Sequence, residues 1–161
     1  MSRPAAFPDM ASFLDRVREL LAVPSTADRP GELHRVLDLV LGSVGSGFTV
    51  ERFESGGKPS ALVYRDAERP RFRVVLNAHL DVVPAPPHQF RPRLDGTRLY
   101  ARGAQDMKVS ALEQGVVGDF VGIGGDGQHG PDEYADITTI APYYRALEEF
   151  LLDLGTMPAP P

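Results

Sequence analysis

The feature that most constrains the fold is a short, wholly apolar run that ends in polar residues able to do chemistry. Residues 74–76 read Val-Val-Leu, which is typical of a strand covered on both faces. We therefore predict a strand over Phe72 to Leu76 in a central sheet. His79 and Asp81 follow at once, and residues two apart in an extended chain point to the same side. Both side chains are expected in one cleft at the carboxyl end of the strand, where open α/β sheets bind ligands.

Helical and strand-like patterns on either side of this run predict an α/β fold. Apolar residues recur at helical spacing after Ser12, which is expected to cap the first helix, and Pro24 ends that helix. The other predicted elements are a helix over Pro30–Leu41, strands over Phe48–Phe53, Ala61–Tyr64 and Asp119–Ile123, a hairpin around Gly96, a short helix from Met107, and a helix over Ile137–Leu154 whose first turn is irregular because of Pro142. Elements in this order favour α/β layering. We assign residues 10–155 to a single domain, with a flexible tail at 1–9 and a disordered tail at 156–161.

Composition excludes several classes of function. The net charge is −5 and no basic stretch offsets it, so we expect no nucleic-acid partner. No apolar run approaches the roughly 20 residues of a membrane span, and the first residues lack the apolar region of a signal peptide. We therefore expect no membrane partner and a cytoplasmic protein. Because the chain has no Cys, a metal ion would need His, Asp and Glu ligands; His34 and His88 are expected at the surface instead.

Three places in the sequence allow metal chemistry, and each also has an ordinary structural explanation. A neutral His79 imidazole is a good metal ligand whose tautomer Asp81 would fix; the alternative is a turn with an Asp cap and an incidental His. Asp106, at the entry to a predicted helix, is either an N-cap or a carboxylate that bridges two cations. His129 lies in a Gly-rich loop, where a lone His is usually just exposed. A nucleotide-binding loop at 122–127 is disfavoured, because neither a helix nor a Lys-Ser/Thr pair follows it.

Three motifs follow one another in this chain. They are HLDVVP from His79, DGTRLYARGAQDMK from Asp95 and HGPDEY from His129. Their order, and the spacing of the first two, resemble the zinc aminoacylase and carboxypeptidase family. That family includes acetylornithine deacetylase, succinyl-diaminopimelate desuccinylase and glutamate carboxypeptidase.

The resemblance implies a fold, an activity and a set of site residues. The fold would be a reduced zinc-exopeptidase-like α/β/α sandwich with a mixed sheet, flanking helices and no lid domain. The activity would be metal-dependent hydrolysis of an amide bond, of the peptidase or deacylase type, in a small N-acyl amino acid or a short peptide. The cofactor would be one or two zinc ions, with cobalt or manganese as substitutes. His79 would bind one zinc ion, His129 the other, Asp106 would bridge them, and Asp81 would be the catalytic partner that orients His79.

The sequence also departs from that family, which leaves a second interpretation open. Family members carry a Glu-Glu pair whose first Glu is the general base. No such pair stands at the matching place here, since Glu148 and Glu149 lie in the predicted terminal helix. We therefore predict internal deletions near 112–113 and 122–126. The alternative function is a catalytically inactive scaffold of the family, and the oligomeric state is left open.

Overall fold

The computed structural model describes residues 9–65, 72, 75–104 and 123–156. Within these residues the chain forms three α-helices, six short strands and two 3₁₀ turns. In chain order they are α1 (Met10–Leu21), α2 (Pro30–Gly42), β1 (Thr49–Ser55), β2 (Lys58–Tyr64), a 3₁₀ turn (Pro87–Phe90), β3 (Arg93–Asp95), β4 (Arg98–Tyr100), β5 (Gly125–Asp126), β6 (Tyr134–Asp136), a 3₁₀ turn (Ile137–Thr139) and α3 (Ile140–Thr156). Helices and antiparallel sheets together agree with the predicted α/β class. The reduced sandwich with a mixed sheet stays a prediction.

The N-cap of the first helix is Asp9, three residues before the predicted cap, Ser12. The Asp9 carboxylate, rather than Ser12, accepts hydrogen bonds from the N–H groups of Ala11 at 3.0 Å and Ser12 at 3.2 Å. A hydrogen bond from the Ser12 side chain and others from backbone N–H groups hold the pKa of Asp9 below its usual range. Asp9, assigned to the tail from sequence, therefore belongs to the helix as its cap.

The second helix forms as predicted. Pro30 occupies its first turn, where the missing N–H costs nothing because that N–H would have no partner in the helix. Leu33, Val36 and Leu37 recur at helical spacing and form its buried face. This helix lies against the hairpin of β1 and β2, and the Arg52 guanidinium donates to Asp38 at 2.7 Å between them.

Two antiparallel sheets are present in the described residues. β1 pairs with β2 through a two-residue turn at Gly56 and Gly57, whose φ angles of 58° and 74° suit a type I′ hairpin. The second sheet has the order β3-β4-β6-β5. Its β3–β4 hairpin confirms the predicted turn at Gly96, where φ is 58°. β6 comes from far along the chain and places Ala135 opposite Leu99.

The main core lies between α1 and the second sheet. Leu99, Ala104 and Ala135 have no exposed surface at all. The core cluster consists of Leu14, Val17, Leu21, Leu99, Ala101, Ala104, Ile123, Ala135 and Ile140. Residues of β6 and of the loop that follows β4 therefore pack in the same apolar core. Among the described residues, no helix is long and apolar enough to span a membrane.

The strand predicted over Phe72 to Leu76 is not present in the part of it that the structure describes. Phe72, Val75 and Leu76 belong to no strand, and their exposures are 43%, 45% and 49%. A strand requires a neighbour for its backbone hydrogen bonds, and the described residues place none beside them. Val74 lies outside the described residues. The predicted strand over Asp119–Ile123 lies outside them too, except for Ile123, which is buried in the core without strand geometry. The short helix predicted from Met107 is also outside.

The terminal helix has the irregular start that Pro142 predicted. A 3₁₀ turn over Ile137–Thr139 precedes α3, so that Pro142 falls in the first turn of the helix. The Asp136 carboxylate caps this turn, accepting from the Thr138 N–H at 3.0 Å and the Thr138 hydroxyl at 2.8 Å. The hydroxyl bond, followed by the backbone bond, lowers the pKa of Asp136.

Candidate functional site

The segment that carries His79 and Asp81 is held by a buried serine. Ser25, in the turn after α1, is 2% exposed. Its hydroxyl donates to the Leu80 carbonyl at 2.7 Å, and its own carbonyl accepts from the Val82 N–H at 3.0 Å. These two bonds grip the chain on either side of Asp81. The sequence does not predict that Ser25 holds the site, because nothing local shows which distant segment it contacts.

His79 and Asp81 lie together as predicted. The His79 Nδ1 atom is 3.0 Å from the Asp81 backbone oxygen and 3.4 Å from Asp81 Oδ1. Both side chains are about half exposed. When Nδ1 carries the proton it donates to the Asp81 backbone carbonyl, with the Asp81 carboxylate close by, and the lone pair of Nε2 then faces away from this contact. This is the arrangement in which a neutral His serves as a metal ligand with an oriented ring.

A buried polar cluster joins the loop after β4 to the loop before β6. Arg102 and Glu133 are 4% and 3% exposed. The Arg102 Nη1 group donates to Glu133 Oε2 at 2.8 Å, and Nη2 donates to Gln89 Oε1 at 2.7 Å and to the Gly130 carbonyl at 3.2 Å. Gln89, which is 7% exposed, donates in turn to the Pro131 carbonyl at 2.9 Å. This cluster, hereafter the Arg102 cluster, was not predicted as a unit.

His129 stands in the loop that the Arg102 cluster holds. It is exposed, and it is the one non-glycine residue with positive φ, at 64°, in the described residues. Its backbone N–H donates to Glu133 Oε2 at 3.3 Å, and the Gly130 N–H donates to the Gly127 carbonyl at 2.7 Å. A positive φ is uncommon for residues other than glycine, so the backbone conformation of His129 is a notable feature of this loop.

One predicted site residue and the two histidines expected outside the site remain. Asp106 is outside it, so its predicted bridging role stays a prediction. His34 lies on α2, with Nε2 at 3.8 Å from Glu54, and His88 is exposed in the first 3₁₀ turn, in agreement with the surface positions expected for both. The described part of the Gly-rich stretch forms β5 and a turn, and no helix follows directly.

Among the described residues, His79 has the chemistry of one zinc ligand. Zinc prefers imidazole nitrogen and carboxylate oxygen when thiolates are absent, and His79 with its orienting Asp81 supplies such a nitrogen. No group of three His, Asp or Glu side chains gathers closely enough to hold a metal ion within the described ranges. A complete ligand set therefore needs residues beyond these ranges, and Asp106 is the predicted one.

The segment that contains His79 and Asp81 matches a known family. Residues 75–114 match the model of peptidase family M20/M25/M40, and this stretch includes His79, Asp81 and Asp106. Over this stretch the chain is similar to the M20/M25/M40 peptidases. This confirms the resemblance drawn from the three motifs.

Three curated proteins that are similar to this chain share one description. The chain is 36% identical over 104 residues to a succinyl-diaminopimelate desuccinylase of Sphingopyxis alaskensis, an alignment that covers 59% of this chain and 27% of that protein. It is 35% identical over 107 residues to the enzyme so named from Bordetella avium, covering 63% and 27%. A third, from Variovorax paradoxus, is 33% identical over 113 residues, covering 63% and 28%. The chain thus spans about a quarter of the length of the curated relatives it matches.

Proposed function

We propose that the chain provides the metal-binding part of a zinc-dependent hydrolase that cleaves amide bonds in a small N-acyl amino acid or a short peptide. The contact between His79 and Asp81 carries the proposal, because it lies inside the family-matching segment and prepares Nε2 as a ligand. The relatives' names, which describe the removal of a succinyl group from succinyl-diaminopimelate, support an acylated amino acid as substrate. A cytoplasmic location belongs to the same proposal.

In this proposal each residue has a distinct task. His79 and His129 would each hold a zinc ion, Asp106 would be shared between the two ions, and Asp81 would keep the His79 ring oriented and its nitrogen basic. Cobalt or manganese would be accepted in place of zinc. Bound zinc would supply the polarisation of the amide carbonyl and an acidic bound water. The residues themselves hold and orient; none of the described ones is placed as the general base.

A second candidate, a metal-binding scaffold without turnover, is favoured by two observations. Glu148 and Glu149 lie within α3, so they do not follow a strand as the family's Glu-Glu pair does. Glu133, the acidic residue of the HGPDEY motif nearest Tyr134, is buried and paired with Arg102, so its carboxylate is committed to structure. General-base assistance typically contributes 10²–10⁴-fold, and its loss would leave binding without useful rate. A single domain at 10–155, with segments missing near 112–113 and 122–126, is part of this candidate.

Calorimetric zinc titration of three variants tests the site. His79→Ala removes the neutral nitrogen ligand and should weaken zinc binding most. Asp81→Ala keeps the backbone carbonyl that accepts from His79 but removes the nearby carboxylate, and it should weaken zinc binding less, by about 10–100-fold. His34→Ala is the matched control and should leave the affinity unchanged, because His34 lies on the surface of α2.

Hydrolysis of a succinylated amino acid, measured on the zinc-loaded wild-type chain, separates the two candidates. Turnover that disappears in His79→Ala supports the hydrolase. Zinc binding without turnover supports the scaffold. Equal losses of affinity in the His34 and His79 variants would mean that zinc binds adventitiously, and both candidates would then be wrong.

A further inference from the structure

The Arg102 cluster is the largest buried polar feature among the described residues, and the proposed function does not use it. Glu133 Oε2 accepts from two donors, Arg102 Nη1 at 2.8 Å and the His129 N–H at 3.3 Å. Backbone bonds reinforce the same junction: the Arg102 N–H donates to the Gln89 carbonyl at 2.9 Å, and the Ala101 N–H donates to the Glu133 carbonyl at 3.2 Å. The carboxylate that contacts His129 is therefore itself fixed from several sides.

Stability alone does not account for such a cluster. A buried ion pair loses the hydration of both charges, and replacing it with apolar residues of similar volume is often neutral or stabilising. Here the cost is raised further, because Arg102 Nε is buried without a hydrogen-bond partner in the described structure. The pair instead fixes the position of one oxygen atom, Glu133 Oε2, next to the loop that contains His129.

This oxygen accepts a hydrogen bond from the residue of the loop that has an unfavourable backbone conformation. The backbone of His129 has φ of 64°, a left-handed conformation that costs a non-glycine residue roughly 1–2 kcal/mol. The hydrogen bond from its N–H to the Glu133 carboxylate, at 3.3 Å, offsets part of that cost. Arg102 and Gln89 add bonds to the Gly130 and Pro131 carbonyls on the other side of His129. The loop is thus held both at and immediately after the histidine.

We propose that Glu133, held in place by Arg102, is a positioning residue that fixes the left-handed backbone at His129 and so presents this imidazole to a divalent cation. The positioning of the backbone stands on the geometry above, while the role toward the cation rests on the proposed function. Glu133 would affect the cation only by holding the backbone of His129, without contact to the metal or the substrate.

The key test removes the ion pair without leaving a lone buried charge. In the full-length chain, Arg102→Met/Glu133→Leu should fold with a thermal midpoint close to that of the wild type. Amide exchange at His129, followed by NMR without metal, should become roughly tenfold faster or more, the factor expected for loss of one charge-assisted hydrogen bond. Cobalt affinity, followed by its visible absorption, should fall about 10–100-fold, as for other residues that orient a ligand.

Three further variants make the result specific. Glu133→Gln keeps an acceptor of the same shape without the charge, so it should give intermediate exchange and intermediate cobalt affinity, and it carries the test if the double variant does not fold. Arg52→Met/Asp38→Leu removes an exposed ion pair elsewhere and should change neither quantity. His129→Ala should weaken cobalt binding at least as much as the double variant.

The outcomes separate the inference from the proposed function. If His129→Ala weakens cobalt binding while the folded Arg102→Met/Glu133→Leu and Glu133→Gln variants match the wild type in affinity and exchange, the positioning role is overturned. If neither His79→Ala nor His129→Ala alters cobalt binding, the proposed metal site is wrong. Exchange at His129 then decides the inference alone: faster exchange in the double variant supports the positioning of the loop, and unchanged exchange overturns it.

Discussion

Individual residues of the same type have very different surroundings in this chain. Leu94 and Leu99 face each other across the β3–β4 hairpin, yet Leu94 is 38% exposed and Leu99 is completely buried. β4 lies between β3 and β6 whereas β3 is an edge strand, and Leu99 belongs to the core cluster whereas Leu94 does not. The same long-range packing explains why Arg102 and Glu133 were not predicted as buried partners: their burial depends on a strand about 30 residues away. By contrast, the proximity of His79 to Asp81 was predicted, because it is local, although the hydrogen bond involves the Asp81 backbone carbonyl and not its carboxylate.

The paired leucines give a prediction at the scale of one residue. Leu99→Ala should lower the free energy of unfolding by about 2–5 kcal/mol, since it removes a fully buried side chain and leaves a cavity. Leu94→Ala should lower it by less than about 1 kcal/mol, because that side chain already meets solvent. Urea denaturation of the two variants measures both values. Similar losses would show that Leu99 is less tightly packed than its burial indicates.

At the scale of elements, helices and hairpins were predicted well and the apolar strand was not. The spacing of apolar residues in α1 and α2, and the glycine at the β3–β4 turn, are signals contained within a dozen residues. A run such as 74–76 signals only that burial is favourable, and says nothing about which strand lies beside it. The candidate site shows the same limit: His79 with Asp81 follows from spacing, while the support from Ser25 depends on a contact across 55 positions.

One substitution made in two elements should have opposite effects. Gly31→Ala lies in the first turn of α2 with open space around the new methyl group, and should stabilise the chain by roughly 0.5–1 kcal/mol through better helix propensity. Gly96→Ala has equal space but a φ of 58°, and should destabilise it by roughly 1–2 kcal/mol because the turn requires a left-handed residue. Thermal unfolding of both variants gives the two signs. A loss of stability in both would mean that the first turn of α2 does not tolerate the methyl group.

On the scale of the whole molecule, the described residues pack tightly around α1 and the second sheet and leave a cavity beside α2 and β2. α1 and the second sheet share the main core, whereas α2, β2 and residues 75–81 line an open cavity of about 830 Å³. Phe48, Val63, Phe72, Val75 and Leu76 are exposed large apolar residues that line it. His79 and Asp81 stand at the same cavity, so the candidate ligand and an apolar surface are adjacent.

This cavity should bind an apolar dye while the chain is folded. Anilinonaphthalene sulfonate should fluoresce with the native wild-type chain, and Val75→Gln/Leu76→Gln should reduce that signal strongly, because both side chains line the cavity. The double variant should lose less than about 1 kcal/mol of stability, since both positions are already about half exposed. Val50→Gln/Leu94→Gln replaces two exposed apolar residues that do not line the cavity, and should leave the signal unchanged. Circular dichroism under the same conditions establishes that each variant is folded. If the two double variants reduce the fluorescence equally, the dye binds to scattered apolar residues, and the cavity beside His79 is not the surface that attracts it.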